Sequence, residues 1–112
     1  MTAKSLRVNQ GFEPAGLIDA FPVEHVGEIH LGGFAEEADE DGASLLIDDH
    51  GAAVAEAVWS LYRRALARIG PAPTLIEWDN NVPEFPVLTA QVARAKSALL
   101  AEANRPMFRN AA

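Results

Sequence analysis

Three short segments of this 112-residue chain each end in a pair of side chains able to move protons or hold a cation. The pairs are Glu28 with His30, Asp48 with His50, and Glu77 with Asp79, and each is spaced i, i+2. Side chains alternate faces along a strand, so each pair projects to one side. Four carboxylates and two imidazoles on an enclosed face are costly unless something neutralises them. A metal cation does so, and it favours ionised carboxylates and neutral imidazoles as ligands. Any one pair reads equally well as a loop cap or a solvated strand end. Three pairs at the same structural position point to a shared metal or catalytic site.

The elements that must position these pairs follow from the apolar pattern. The first run is residues 26–31, closed by Gly32-Gly33; the second is 45–50, closed by Gly51; the third is 74–79, followed by Asn80-Asn81-Val82-Pro83. A helical pattern follows the second and third runs. Between about 52 and 69, Val54, Ala57, Val58, Leu61, Ala65, Leu66 and Ile69 recur at spacings of three and four, which predicts an amphipathic helix. Arg63, Arg64 and Arg68 near its end complement the helix dipole, and Gly70-Pro71 stops it. A last helix is expected over about 86–103, with Val87, Leu88, Val92, Ala95 and Leu99 as its buried stripe. A short helix is expected over 14–20, ended by Phe21-Pro22.

This βα rhythm predicts an α/β fold with parallel strands, in one domain spanning 1–112 with about three βα units. Residues 105–112 read as a loose tail. The polar pairs would lie at the C-terminal ends of the strands, where parallel α/β folds build their sites. Ile29, Ile47, Ile76 and Trp78 would face the helices. The acidic stretch 35–42 reads as a solvated loop or frayed turn, because its like charges repel. Trp59 and Tyr62 read as core, Asp49 as a turn or N-cap residue, and His25 as a surface residue in a connector.

Composition excludes several function classes. A net charge of −7 argues against a nucleic-acid partner and against adsorption to anionic membranes. With no cysteine, disulfides, thiolate ligands and a cysteine nucleophile are excluded. Any metal is then held by nitrogen and oxygen, which suits iron, manganese, zinc or magnesium. No apolar run approaches the roughly 20 residues of a membrane span, and the N-terminus lacks a signal-peptide core, so a cytoplasmic location is expected.

The strings Glu28-Ile29-His30-Leu31-Gly32-Gly33, Leu46-Ile47-Asp48-Asp49-His50-Gly51, Val58-Trp59-Ser60-Leu61-Tyr62 and Gly70-Pro71-Ala72-Pro73-Thr74-Leu75-Ile76-Glu77-Trp78-Asp79 occur in this order. With the upstream Val8-Asn9-Gln10-Gly11-Phe12-Glu13-Pro14, they resemble successive motifs of the DUF692 (UPF0276) family, the multinuclear non-haem iron oxidase type, over about residues 8–103. The resemblance implies the C-terminal part of a TIM-barrel (xylose isomerase-like) fold, incomplete on its own. It implies a site of two or three iron ions in the complete family fold, partly represented here. It implies oxidative modification of ribosomally made precursor peptides, with a partner protein that delivers the peptide. By motif position, His30, Asp48, His50 and Glu77 would be metal ligands, Asp79 a catalytic acid in the site, and Glu28 a supporting residue.

Two departures bear on this reading. A full barrel needs roughly eight βα units and about 250 residues, and the family's earlier strands and their ligands have no counterpart here. Gln10 stands where the family pattern has His. An incomplete parallel sheet leaves open strand edges. The chain is therefore expected either to pair with itself or to dock with an N-terminal barrel half. The competing reading is a non-catalytic truncated homologue acting as an oligomeric or interaction module. A different metal-dependent isomerase or hydrolase needs the same residue types but leaves the ordered motifs unexplained.

Overall fold

The computed structural model of the chain describes residues 14–105. The Val8–Pro14 motif up to Glu13, with Gln10, lies outside the described residues, as does the expected tail beyond Arg105. In chain order, helix α1 is Pro14–Ala20, followed by a single 3-10 turn at Val23–His25. Strands β1 (Ile29–Gly32), β2 (Ala35–Ala38) and β3 (Ser44–Ile47) come next. Helix α2 (Glu56–Ile69), strand β4 (Thr74–Glu77) and helix α3 (Phe85–Ala103) complete the described fold.

The first and third apolar runs pair with each other in the parallel orientation expected of them. β1 and β4 run parallel, with Ile29 opposite Thr74, His30 opposite Leu75, Leu31 opposite Ile76 and Gly32 opposite Glu77. Period-two alternation then sorts the pair into two faces. Leu31, with Ile29 and Ile76, turns to a core built with Val54, Val58, Trp59, Tyr62, Leu66 and Ala95. His30 and Glu77 turn the other way. The two helices thus cover one face of the pair, opposite the face that carries His30 and Glu77.

The second run corrects the expectation. It does not join the parallel sheet: β3 pairs antiparallel with β2, Ala35 opposite Ile47 and Ala38 opposite Ser44. The acidic stretch is accordingly a strand and a turn rather than a solvated loop. Local turn chemistry decides this. The Asp39 Oδ1 accepts from the backbone N–H groups of Asp41 and Ala43 at 2.9 Å each, and Gly42 takes a φ of 80°. On a strand Glu36 and Glu37 point to opposite faces, which eases their repulsion, and Ser44 Oγ donates to Glu36 Oε1 at 2.6 Å. The β1–β4 pair makes two parallel strands rather than three, and Ile47 lies 36% exposed instead of facing the helices.

The helices largely follow their patterns. α2 buries Val58, Trp59, Tyr62 and Leu66, so both aromatics are core. It begins at Glu56, later than expected, because the chain before it is held extended: Ala55 has a ψ of 153° and Val54 N–H donates to Gln91 Oε1 at 3.0 Å. α3 departs more. Ala95 is buried and Leu99 packs on the core, but Val87 and Val92 are 44% and 55% exposed. α3 is apolar around much of its surface, so spacing alone leaves the buried stripe undetermined.

Three cross-links fix the layers. Tyr62 Oη and Thr74 Oγ1 lie 2.8 Å apart, joining α2 to β4. The Arg94 guanidinium grips Glu56 through both carboxylate oxygens and stacks 4.7 Å from the Trp59 ring centre, joining α3 to α2. The Arg64 guanidinium grips the Asp19 carboxylate and ties α1 to α2.

Candidate metal centre

His30 projects from the middle of β1 and Glu77 from the end of β4, on the same sheet face. His30 Nδ1 lies 2.6 Å from Glu77 Oε1, and His30 Nε2 lies 2.5 Å from Glu28 Oε1. The other Glu77 oxygen, Oε2, lies 3.1 Å from His50 Nδ1. The same His50 nitrogen is 2.9 Å from Asp79 Oδ2, and His50 Nε2 is 2.9 Å from Asp48 Oδ1. All six residues expected from the three spaced pairs therefore form one connected array, with Glu77 in its centre.

The second pair reaches this array by an unexpected route. Asp48 and His50 follow β3 in an irregular loop, not at the end of a parallel strand. The loop is stitched to the ends of the parallel pair: His50 N–H donates to Gly33 O at 3.2 Å, and Asp79 N–H donates to His50 O at 2.8 Å. Close approach demands small residues at the end of β1. A Cβ on Gly32 would stand 2.7 Å from His50 Cδ2, and one on Gly33 only 2.1 Å from the Ala52 carbonyl oxygen. Asp49 is a turn residue: its Oδ1 accepts from Gly51 N–H at 3.1 Å, while the N-cap of α2 is Ala55.

Electrostatics distinguish the two imidazoles from ordinary surface histidines. The hydrogen bond to Glu28 holds His30 above its usual value, and Glu77 adds to this. His50 is also held above the usual value, first by the hydrogen bond to Asp79 and then by the charges of Asp48, Glu77 and Asp79. Each imidazole is thus biased toward its protonated form by the same carboxylates that a cation would bind.

Donor atoms of His50, Glu77 and Asp79 all lie within 4.8 Å of one another. This places Asp79, read from sequence as an acid in the site, as near to Glu77 as a ligand would be. The Asp48 and Glu77 side chains are 18% and 22% exposed, whereas Glu28 and Asp79 are 62% and 66% exposed. The array is sheltered at its centre and open at its rims. Sequence reasoning missed Asn80, whose Nδ2 donates to Asp49 O at 2.6 Å. Its signal was the Asn80-Asn81 turn pair directly after the third run. His25 sits in the 3-10 turn, outside the array.

The donor set fits a metal at its centre, where His50, Glu77 and Asp79 come close enough to share one. His30, Asp48 and Glu28 adjoin this group through their contacts with Glu77, His50 and His30. Among the described residues, no helix is long and apolar enough to cross a membrane.

The sequence matches a family model described as RiPP precursor modification enzyme MbnB/TglH/ChrH over residues 5–100. It is similar to UPF0276 proteins of Caulobacter vibrioides, 53% identical over 91 residues, and Paraburkholderia phytofirmans, 50% identical over 88 residues. A UPF0276 protein of Acaryochloris marina is 48% identical over 91 residues. These alignments cover 81%, 79% and 81% of this chain, but 32%, 29% and 31% of the respective relatives. The chain thus spans about three-tenths of the length of the curated relatives it matches. No solved structure matches it.

Proposed function

The chain belongs to the MbnB/TglH/ChrH family of RiPP precursor modification enzymes, and on that premise we propose that it forms the C-terminal part of an iron-dependent oxidase acting on ribosomally made precursor peptides. In this reading His30, Asp48, His50 and Glu77 hold the metal, and Asp79 is the acid beside them. One observation carries the proposal: the two oxygens of Glu77 face two different imidazoles, His30 at 2.6 Å and His50 at 3.1 Å. An array of hard oxygen and borderline nitrogen donors without sulfur suits iron.

When bound, iron would supply the redox capacity for oxidation by O2. The protein's own residues do the rest. The Gly32-Gly33 end of β1 leaves room for the His50 ring. Asp79 orients that ring through Nδ1, in the way carboxylates set ligating histidines, and leaves Nε2, beside Asp48, available to a metal. Asp79 Oδ2, at 2.9 Å from His50 Nδ1 and at the open rim, can take or return a proton there. The remaining ligands and the peptide-binding walls would come from the rest of a barrel, supplied by an N-terminal half or by a further copy, and a delivering protein would present the peptide.

The test is metal content with molar mass on anaerobically purified protein, by elemental analysis and light scattering. Iron in stoichiometric amount on a defined species is expected. Protein that stays free of iron after anaerobic loading would sink the reading.

A second reading is favoured by the surface. Val82, Phe85, Val92 and Leu100 are each more than half exposed, and Phe85 reaches 73%. Together with the outer edges of a parallel sheet that has two strands among the described residues, this suits an oligomeric or interaction module without turnover. Stable homo-oligomers without iron would favour it.

A further inference from the structure

The loop after β3 holds His50 in a backbone conformation that side-chain-bearing residues seldom adopt, with a φ of 52°. Such backbone persists where its surroundings over-determine it. Here the surroundings are the ends of β1 and β4. From β1, Gly33 O accepts from His50 N–H at 3.2 Å. From β4, Asp79 N–H donates to His50 O at 2.8 Å.

The first of these contacts holds only the N–H end of the Asp49–His50 peptide, and its carbonyl end needs a donor of its own. Asn80 supplies it: its Nδ2 donates to Asp49 O at 2.6 Å. The same side chain closes over the next residue as well, since a Cβ on Gly51 would stand 2.4 Å from Asn80 Oδ1. The amide is held in turn from behind. Its Oδ1 accepts from Asn81 Nδ2 at 3.2 Å, and Asn81, itself at a φ of 50°, accepts the Trp78 indole N–H at 3.1 Å through its carbonyl. One exposed amide therefore spans the turn that aims the His50 imidazole.

We propose that Asn80 is a positioning residue for His50, locking the 48–51 turn so that the imidazole stays between Asp48 and Asp79. Its consequence for metal uptake rests on the proposed function, but the positioning itself does not. His30 is the internal control, because it sits on β1, outside the 48–51 turn.

The experiment is a long-range 1H–15N spectrum of the histidine rings in the metal-free chain, for the unmodified protein, Asn80→Ala and Gly51→Ala. Both variants should displace the His50 ring signals severalfold more than those of His30. In a parallel titration with ferrous iron under anaerobic conditions, Asn80→Ala should weaken binding by about 10–100-fold, the range for partners that orient metal ligands. His50 signals left in place by Asn80→Ala would overturn the proposal. So would equal displacement of His30 and His50, which would make Asn80 a general support of the fold. If the unmodified chain takes up no iron while His50 still moves selectively, the metal reading falls and the positioning stands.

Discussion

The two faces of the β1–β4 pair are made from alternate residues of the same strands, yet they are held by different forces. On the helix side Leu31 is 5% exposed and meets Trp59 and Leu66, each 1% exposed. On the other side the His30 side chain is 43% exposed and is held by Glu28 and Glu77. The apolar face gains from area removed from water and needs no exact partner. The polar face gains only from specific contacts, which add little stability where water reaches the groups that make them. Stability and chemistry are thereby separated across one sheet, a strand's thickness apart.

Substitutions should respect that division. The largest expected effect is on the helix side: Leu66→Ala should cost about 2–5 kcal/mol in denaturant unfolding, from lost transfer energy and a residual cavity. It should move the midpoint with little change in slope. On the polar side His50→Ala should abolish most iron uptake while leaving that midpoint nearly unchanged. Iron content equal to that of the unmodified chain would break the assignment of the polar face, and a collapse of stability would break the separation.

A pH series sharpens the same contrast. His30 and His50 are both held above the ordinary histidine value of 6.5 by their carboxylate neighbours. Raised values mean that their ion-pair contribution is fully present below the unfolded value and fades as pH rises through the folded ones. Metal binding has the opposite sign, because the ligand form is the neutral ring. In the absence of iron, stability should therefore decline slightly from slightly acid pH upward, while iron affinity rises across the same interval. NMR midpoints at or below 6.5 for both rings would remove the basis for this prediction.

The smallest effect should come from the surface ties. Asp19 and Glu56 are held below their usual values by hydrogen bonds from Arg64 and Arg94. Their contribution is present above the ordinary carboxylate range and is lost as pH falls. Exposed pairs of this kind are weak and salt-sensitive. Acid unfolding of Arg64→Met should track the unmodified chain closely, with any difference vanishing at high salt.

Much of this architecture was legible in the residues. The i, i+2 pairs name the six side chains of the array, although only His30 and Glu77 stand on strands and Glu28, Asp48, His50 and Asp79 lie in the loops beside them. The parallel orientation of the first and third runs follows from the βα rhythm, and the C-terminal ends of α2 and α3 from the stops at Gly70 and Asn104. The hairpin was not read, because a charge run was weighed above the Asp39–Gly42 turn that overrides it. The route of Asp48 and His50 was not legible either. It depends on contacts between loops distant in sequence, made by Gly33, Asp79 and Asn80. The exposure of Val87 and Val92 was hidden for a third reason: on a broadly apolar helix, packing chooses the buried stripe.

The register of the parallel pair has a kinetic corollary. Residue 29 pairs with residue 74, so the hairpin, its following loop and all of α2 lie within the closed segment. Closing so long a segment is entropically slow compared with forming the hairpin or either helix. His30 and Glu77 face each other only after that closure. The array is thus expected to assemble late in folding, once β1 and β4 have paired, and nascent or partly folded protein should be unable to collect metal at this site.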